Sequence, residues 1–501
     1  MIDLLEFLLI RGWAALHPRP SRSAPKSEPA IDDNAIGYLL GGDGETGKPV
    51  YLPWSDLVRM LLVTGITGSG KSTFMKRLVE SLWPSVSIVL FDVHADFGSW
   101  LLRFAAATIG PDEAAKRLIV IDPAAPSNYI TPVNPLAGTG EPLQIALFVL
   151  AALKKQAHDQ FGSWGVTIQE NLTFSVLALA EAGRVVGVPF SLAHLQAFFL
   201  NEAFRTSLVV HTSDMVREYW SASYARLSAD KQLQSWLAVQ NKVTPLLLPL
   251  GSLVGPRHGF AFDVLNEPPS KIVICTIARH RYEDAAIMGV DLVVNRFSSF
   301  VMSRAEMPPE EKLPVLAIVD EFPLLQPERF ESLIALARKH NVAVALGAQS
   351  VGMLNPATRH ILRNVVGNAI VMRQGPDGAR EMARSIFPAD PSEDVLTTLL
   401  TQKQGEAYLS QVDKPAVRFR VRHAPDPDVS DEAVQATLEA ALRAYGQPRS
   451  AYTEERAAFA RELARMEAGE PNAAYPPQTQ TDPPEIDHGR RPGEYSPHSE
   501  P

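Results

Sequence analysis

Cysteine occurs once in 501 residues, at Cys275. One thiol cannot close an intrachain disulfide or build a cysteine-based zinc site, so the sequence fits a reducing compartment. Cys275 lies in the apolar stretch 271–277 and reads as a small core residue. Positive charge is not in excess: 47 Lys and Arg stand against 56 Asp and Glu, a net −9. The global basic character of many nucleic-acid binders is therefore missing, although a ring needs positive charge only on its inner loops. No run of about 18 or more apolar residues occurs, so no transmembrane segment is expected. The nearest approach, 1–16, is interrupted by Asp3, Glu6 and Arg11. Asp3 also precedes the apolar run, where a signal peptide would carry positive charge. An amphipathic helix packing on the body or on a partner is expected there, with a membrane-surface anchor as the alternative. A second phosphate loop is missing too, which argues against a two-lobed monomeric helicase.

What is present is organised around 61–73. Leu61 to Val63 reads as a buried strand, and Gly65-x-x-x-x-Gly70-Lys71-Ser72 is a complete phosphate-loop pattern followed by an amphipathic run. Glycines let the backbone curl until its N–H groups converge, and a helix starting near Ser72 adds the positive end of its dipole. Gly65, Thr67, Gly68, Ser69, Gly70, Lys71, Ser72 and Thr73 are the expected nucleotide-binding residues. Lys71 would reach the β- and γ-phosphates, and the Ser72 hydroxyl would ligate Mg²⁺.

Around this loop the chain alternates apolar strands (86–91, 117–121, 271–277, 315–319, 342–346, 369–372) with helices. That rhythm predicts an α/β class with a largely parallel sheet covered on both faces. Between 142 and about 248 strand signals vanish and apolar positions recur at three and four, predicting an all-helical insertion. Ser191, Asn201 and Ser213 suit helix N-caps, as does Ser430 before a helix ending at Gly446. The stretches 36–40 and 49–52 predict a hairpin ahead of the core, and 406–410 with 416–421 an antiparallel pair closing it. The expected organisation is a segment and linker over 1–30, the core over 31–140 and 251–425, the insertion over 141–250, and C-terminal helices with a tail over 426–501. The last 31 residues hold eight prolines and little that could form a core, so the tail is expected to be disordered.

The stretch 316–321 supplies the other half of a site. An apolar strand ending in Asp320-Glu321 places two carboxylates beside a γ-phosphate: Asp320 to hold Mg²⁺ through water, Glu321 to orient and deprotonate the attacking water. Adjacent acids imply hydrolysis. Gln349 follows the next strand and could touch both phosphate and water. Asn241-Lys242-Val243-Thr244 lacks the Asp of a guanine-reading motif, so ATP is expected over GTP. Asp92, His94 and Asp96 alternate at a strand end, but without a further His or Cys cluster they read as lining the cleft. Arg338, Arg363 and Arg373 lie near element ends, and at least one is expected to reach a neighbouring subunit's nucleotide.

Together these residues resemble the HerA–FtsK superfamily of ring ATPases, and within it the TraG/TraD-like coupling ATPases of conjugative type IV secretion. The resemblance runs from about Ile36 to Arg422. It is carried by Asp92-Val93-His94-Ala95-Asp96, Asp122-Pro123, Asn134-Pro135-Leu136, Ser163-Trp164-Gly165, Phe204-Arg205, Tyr219-Trp220, 337–340, Ala348-Gln349-Ser350, Gly367-Asn368 with Arg373, and Asp377-Gly378-Ala379. It implies a RecA-like P-loop core with a helical insertion, and a homo-oligomer, expected to be a hexamer with ATP between subunits and DNA in its pore. The motor would move DNA or hand DNA and protein to a secretion or mobile-element machine, in the cytoplasm or peripherally at the inner membrane. A nucleotide-gated recruitment protein that docks substrates without translocating DNA is the alternative. Val93 and Ala95 depart from the family's Pro and Gly, and the membrane-spanning N-terminal helices of membrane-anchored members are not seen.

Overall fold

The computed structural model describes residues 37–43, 48–138, 140–160, 164–325, 333, 336–354, 356–386, 393–412, 414–423 and 425–470. The expected segment 1–16, the linker 17–30 and the tail 471–501 lie outside the described residues, as does Ser163.

A sheet of eleven strands forms the centre. In chain order they are β1 (Gly37–Asp43), β2 (Pro49–Pro53), β3 (Leu61–Thr64), β4 (Ser87–Asp92) and β5 (Leu118–Ile121). After β6 (Tyr129–Ile130), which lies outside this sheet, follow β7 (Ile272–Thr276), β8 (Val315–Val319), β9 (Val342–Ala348), β10 (Asn368–Val371), β11 (Glu406–Gln411) and β12 (Lys414–Val421). The spatial order is β2-β1-β12-β11-β10-β3-β9-β8-β4-β7-β5. From β10 to β5 every neighbour is parallel, and β2, β1, β12 and β11 form an antiparallel wing. The central strands are continuous apolar runs because both faces are covered: β4, β7, β8 and β9 are buried at every position.

The helices are α1 (Lys71–Leu82), α2 (Asp96–Thr108) and α3 (Gly110–Arg117), then α4 (Pro142–Gln160), α5 (Val166–Val186), α6 (Leu195–Leu200), α7 (Glu202–Val209), α8 (Asp214–Glu218) and α9 (Ala229–Val254). Among the described residues, no strand falls within the run from α4 to α9. Asn201 caps α7 through the Phe204 N–H, and Ser191 caps a 3-10 turn together with His194. Ser213 begins α8 without a side-chain cap. Aromatic rings fill this helical layer, with Trp220 in contact with Phe198, Phe199 and Tyr224.

Helix α10 (Arg279–Ser303) follows β7 and is kinked at Glu283. It is long and apolar enough by composition to cross a membrane, although charged and polar residues interrupt its apolar run. It is almost wholly buried and carries Asp291, Asn295 and Arg296 inside the protein, as a core helix does. Next come α11 (Pro356–Val365), α12 (Pro376–Ile386) and α13 (Glu393–Thr401).

The chain past Arg422 returns to the body. Ser430 accepts from the Ala433 N–H and caps α14 (Asp431–Tyr445), which packs on α2, α3 and β5. β13 (Gln447–Pro448) pairs with β6, and α15 (Arg449–Glu467) lies along the helical layer. There Phe459 meets His194 and Phe204, and Arg257 pairs with Glu462.

Candidate nucleotide-binding site

Strand β3, flanked by β10 and β9, delivers the chain to Gly65 at the C-terminal edge of the sheet. This is where an open α/β sheet leaves a crevice for ligands. Gly68 (φ +75°) and Gly70 (φ +111°) take backbone conformations that L side chains rarely adopt. Gly65 is constrained by space: a Cβ would come within 2.6 Å of Ser69 Oγ and 2.9 Å of Met372 Cβ. Three neighbouring elements clamp the loop. The Gly65 N–H donates to Ala348 O (3.2 Å), the Ile66 N–H to Arg373 O (2.9 Å), and the Gly405 N–H to Ser69 O (2.9 Å).

Helix α1 begins at Lys71 with Gly70 before it and no side chain capping its first turn. The leading N–H groups of a helix have no intrahelical acceptor, so an uncapped start beside a curled loop fits an anion. Lys71 is buried, and its ammonium donates to Gly65 O at 2.7 Å and Ile66 O at 3.5 Å. Burial lowers its pKa, while Glu321 and Asp320 oppose the shift. The cation is held by its own loop's carbonyls, a position from which it can exchange onto phosphate oxygens. Ser72, one residue on, is exposed.

The acids arrive from β8, two strands away from β3. The Asp320 N–H donates to Phe91 O at 3.1 Å, fixing the residue against the end of β4. Its carboxyl is pushed up to about 6, chiefly by burial and then by Asp92 and Glu321, with His94 and Lys71 opposing. A carboxylate so placed gains from a divalent cation. Glu321 stands in the left-handed region (φ 55°, ψ 49°), costly by about 1–3 kcal/mol for a residue with a Cβ. The Gln349 amide donates to Glu321 Oε1 at 3.1 Å. Lys71, Asp320, Glu321 and Gln349 are thus brought to one sheet edge. Ser72 for Mg²⁺ contact and the backbone of 68–73 for phosphates fit the donor set that a magnesium nucleotide needs.

Other expected residues fall elsewhere. Asp92 is fully buried: Oδ1 accepts from His94 N–H (2.8 Å) and Ala95 N–H (3.0 Å), and Oδ2 from Gly98 N–H (2.8 Å). It does not line the cleft; it ties the end of β4 to α2, with Ala95 at φ +75° making the turn. His94 and Asp96 are exposed beside it. Arg373 leaves β10 at the loop of its own chain, half-exposed, with Nε buried and without a hydrogen-bond partner among the described residues. Arg338 is exposed at the opposite end of β9 from Gln349. Seven residues of strand put roughly 20 Å between them, so it does not reach its own phosphate loop. Arg363 belongs to α11. Sequence reasoning missed Gly405 and Gly347. A Cβ on Gly70 would sit 3.1 Å from Gly405 N, and one on Gly347 would sit 3.2 Å from Asp320 Oδ1. Nothing in their local sequence marks them, because the contacts they permit are long-range.

A phosphate loop on the central strand, an acid pair on a strand beyond it and a mostly parallel sheet between helical layers define a RecA-like P-loop fold. Residues 34–208 match the family model described as "Helicase HerA, central domain". That match covers about a third of the chain, and the solved structures that the chain resembles share the fold. The chain is similar to the plasmid coupling protein TrwB solved with a non-hydrolysable ATP analogue, at 16% identity and a TM-score of 0.54 to 0.55 across two forms. With the analogue-bound form, 82% of this chain and 98% of that chain are covered. It is also similar to VirB4 of Thermoanaerobacter pseudethanolicus, at 15% identity and a TM-score of 0.52, covering 78% of this chain and 97% of that one. TrwB has also been solved with ADP and Mg²⁺. Among curated proteins, none matches the sequence.

Proposed function

We propose that this protein is an ATP-hydrolysing motor that works as a ring, expected to be a hexamer, and moves DNA, or DNA with attached protein, in conjugative transfer or type IV secretion. The observation that carries the reading is that a buried Lys71, held by its own loop, lies within the field of Asp320 and Glu321 at one sheet edge. Binding alone needs the cation and the loop; an added acid pair suits hydrolysis.

In this reading the 68–73 backbone and Lys71 hold the phosphates, and Ser72 and Asp320 hold Mg²⁺, which supplies charge neutralisation. Glu321 accepts a proton from the water whose oxygen attacks the γ-phosphorus, while the bond to the bridging oxygen breaks. Gln349 positions Glu321 through its amide. Arg373 serves the nucleotide from its own chain's loop, while Arg338 is free to serve a neighbour's. Secretion or mobile-element proteins would be further partners, with the work done on the cytoplasmic side. The deciding experiment is ATP turnover of the full chain across a concentration series with and without duplex DNA. Turnover that rises with assembly and again with DNA supports the motor. DNA-independent turnover at every concentration sinks it in favour of nucleotide-gated recruitment.

A further inference from the structure

The turn that opens α10 carries Arg279, His280 and Arg281 in succession, all exposed, on a chain whose net charge is −9. Packing does not explain them. Among the described residues neither arginine has an ion-pair partner within 4.0 Å. The acids facing the turn are few: Glu283 and Asp284 on the same helix, and Asp122, which is half-buried, accepts from the Ala124 N–H at 2.7 Å and feels the charges of Arg281 and Arg449. Cations in the first turn of a helix also oppose its dipole, at a cost of about 0.3–1 kcal/mol each. The protein therefore keeps two exposed arginines, with a histidine between them, where folding alone would disfavour positive charge. Tyr282 follows, with its ring half-buried, and Glu283 takes φ +48° and ψ −125°, a strained conformation that sets the angle at which the turn leaves the helix.

The turn is also wired to the acid pair. The Arg279 N–H donates to Val93 O (2.9 Å), the Ile277 N–H to Asp92 O (3.3 Å), and the Asp320 N–H to Phe91 O (3.1 Å). Three successive carbonyls at the end of β4 thus hold the cationic turn on one side and the catalytic acids on the other. A displacement of the turn acts on β4 and so on the position of Asp320.

The geometry points to 279–282 as a contact site for the nucleic-acid phosphate backbone, coupled to the ATP site through the end of β4. This rests on the motor reading above and adds to it the residues that touch the substrate. Arginine matches a phosphate with a planar fork of donors, and a half-exposed tyrosine beside it can stack on a sugar or base. An acidic protein segment offers neither a regular phosphate spacing nor a base to stack.

The test uses the full chain with a non-hydrolysable ATP analogue and a fluorescein-labelled duplex DNA, reading anisotropy over a salt series. Arg279→Ala with Arg281→Ala should reduce the slope of log K against log salt by about 1.8 per engaged turn, at about 0.9 per lost phosphate contact. It should also lower the DNA stimulation of ATP turnover. Arg279→Lys with Arg281→Lys should restore most of the slope, and matching melting temperatures would show that both variants fold. If the parent binds and is stimulated while the alanine pair keeps its slope, the assignment is overturned and the motor reading stands. Failure of the parent to bind DNA at any salt overturns both. Displacement of the duplex by polyglutamate as effectively as by unlabelled DNA identifies a protein-docking patch and overturns the assignment to nucleic acid.

Discussion

Replacing Asp320 by asparagine should stabilise the metal-free protein while impairing its response to magnesium nucleotide. The carboxyl is buried among like charges, and its pKa moves from 3.8 to about 6. A raised carboxyl pKa means that the folded state holds the proton more tightly than the unfolded state. Its effect on stability is therefore absent below about pH 4, grows as an unfavourable contribution between pH 4 and 6, and stays constant above. A shift of that size corresponds to roughly 3 kcal/mol at pH 8. The neutral amide removes it, so Asp320→Asn should melt a few degrees above the parent at pH 8 in EDTA and within a degree of it near pH 4. With Mg²⁺ and ADP the order should reverse, because only the carboxylate gains from the ion. Differential scanning calorimetry at the two pH values, with and without Mg²⁺·ADP, reads all four states. If Asp320→Asn lowers the melting temperature equally at both pH values without metal, the carboxylate is making favourable contacts and the reasoning is refuted.

Lys71→Ala should weaken binding of a fluorescent ATP analogue about 10- to 100-fold, the worth of a charge-assisted hydrogen bond to phosphate; unchanged affinity would remove Lys71 from the site. Glu321→Gln should lower kcat by about 10²–10⁴ with nucleotide affinity retained, measured by phosphate release and equilibrium titration; parent-like turnover would displace Glu321 as the base. Gly98→Ala should destabilise the fold by about 1–3 kcal/mol, since its Cβ would meet Thr276 Oγ1 at 2.2 Å, and a calorimetric scan showing no loss would contradict the packing described.

The site's skeleton was legible because its chemistry is local in sequence. The loop needs its glycines at Gly68 and Gly70, and Lys71-Ser72 must follow them directly. The 315–319 run was readable as a strand because it is a short apolar run within an alternation of strands and helices, with two acids marking its end. The helical run and its caps at Asn201 and Ser430 were readable for the same reason. What could not be read depends on partners far along the chain. Asp92 looked like a cleft residue, yet it is spent on three backbone N–H groups; a strand-end aspartate reads the same in either role. Gly405 gave no sign that it packs on a loop more than three hundred residues earlier. The hydropathy of α10 was obscured by Asp291, Asn295 and Arg296, whose burial depends on the helices around it.

The central claim is a spatial one, that Lys71 and Ser72 face Asp320 and Glu321 across a single bound magnesium nucleotide. Its most direct test is a structure of the full chain with Mg²⁺ and a non-hydrolysable ATP analogue. The account predicts Lys71 Nζ on the phosphates, Ser72 Oγ on the metal, Asp320 within one water of it, and Glu321 facing the γ-phosphate. A nucleotide bound away from the 65–72 loop, or a Glu321 carboxylate turned from the γ-phosphate with no water between them, would contradict it.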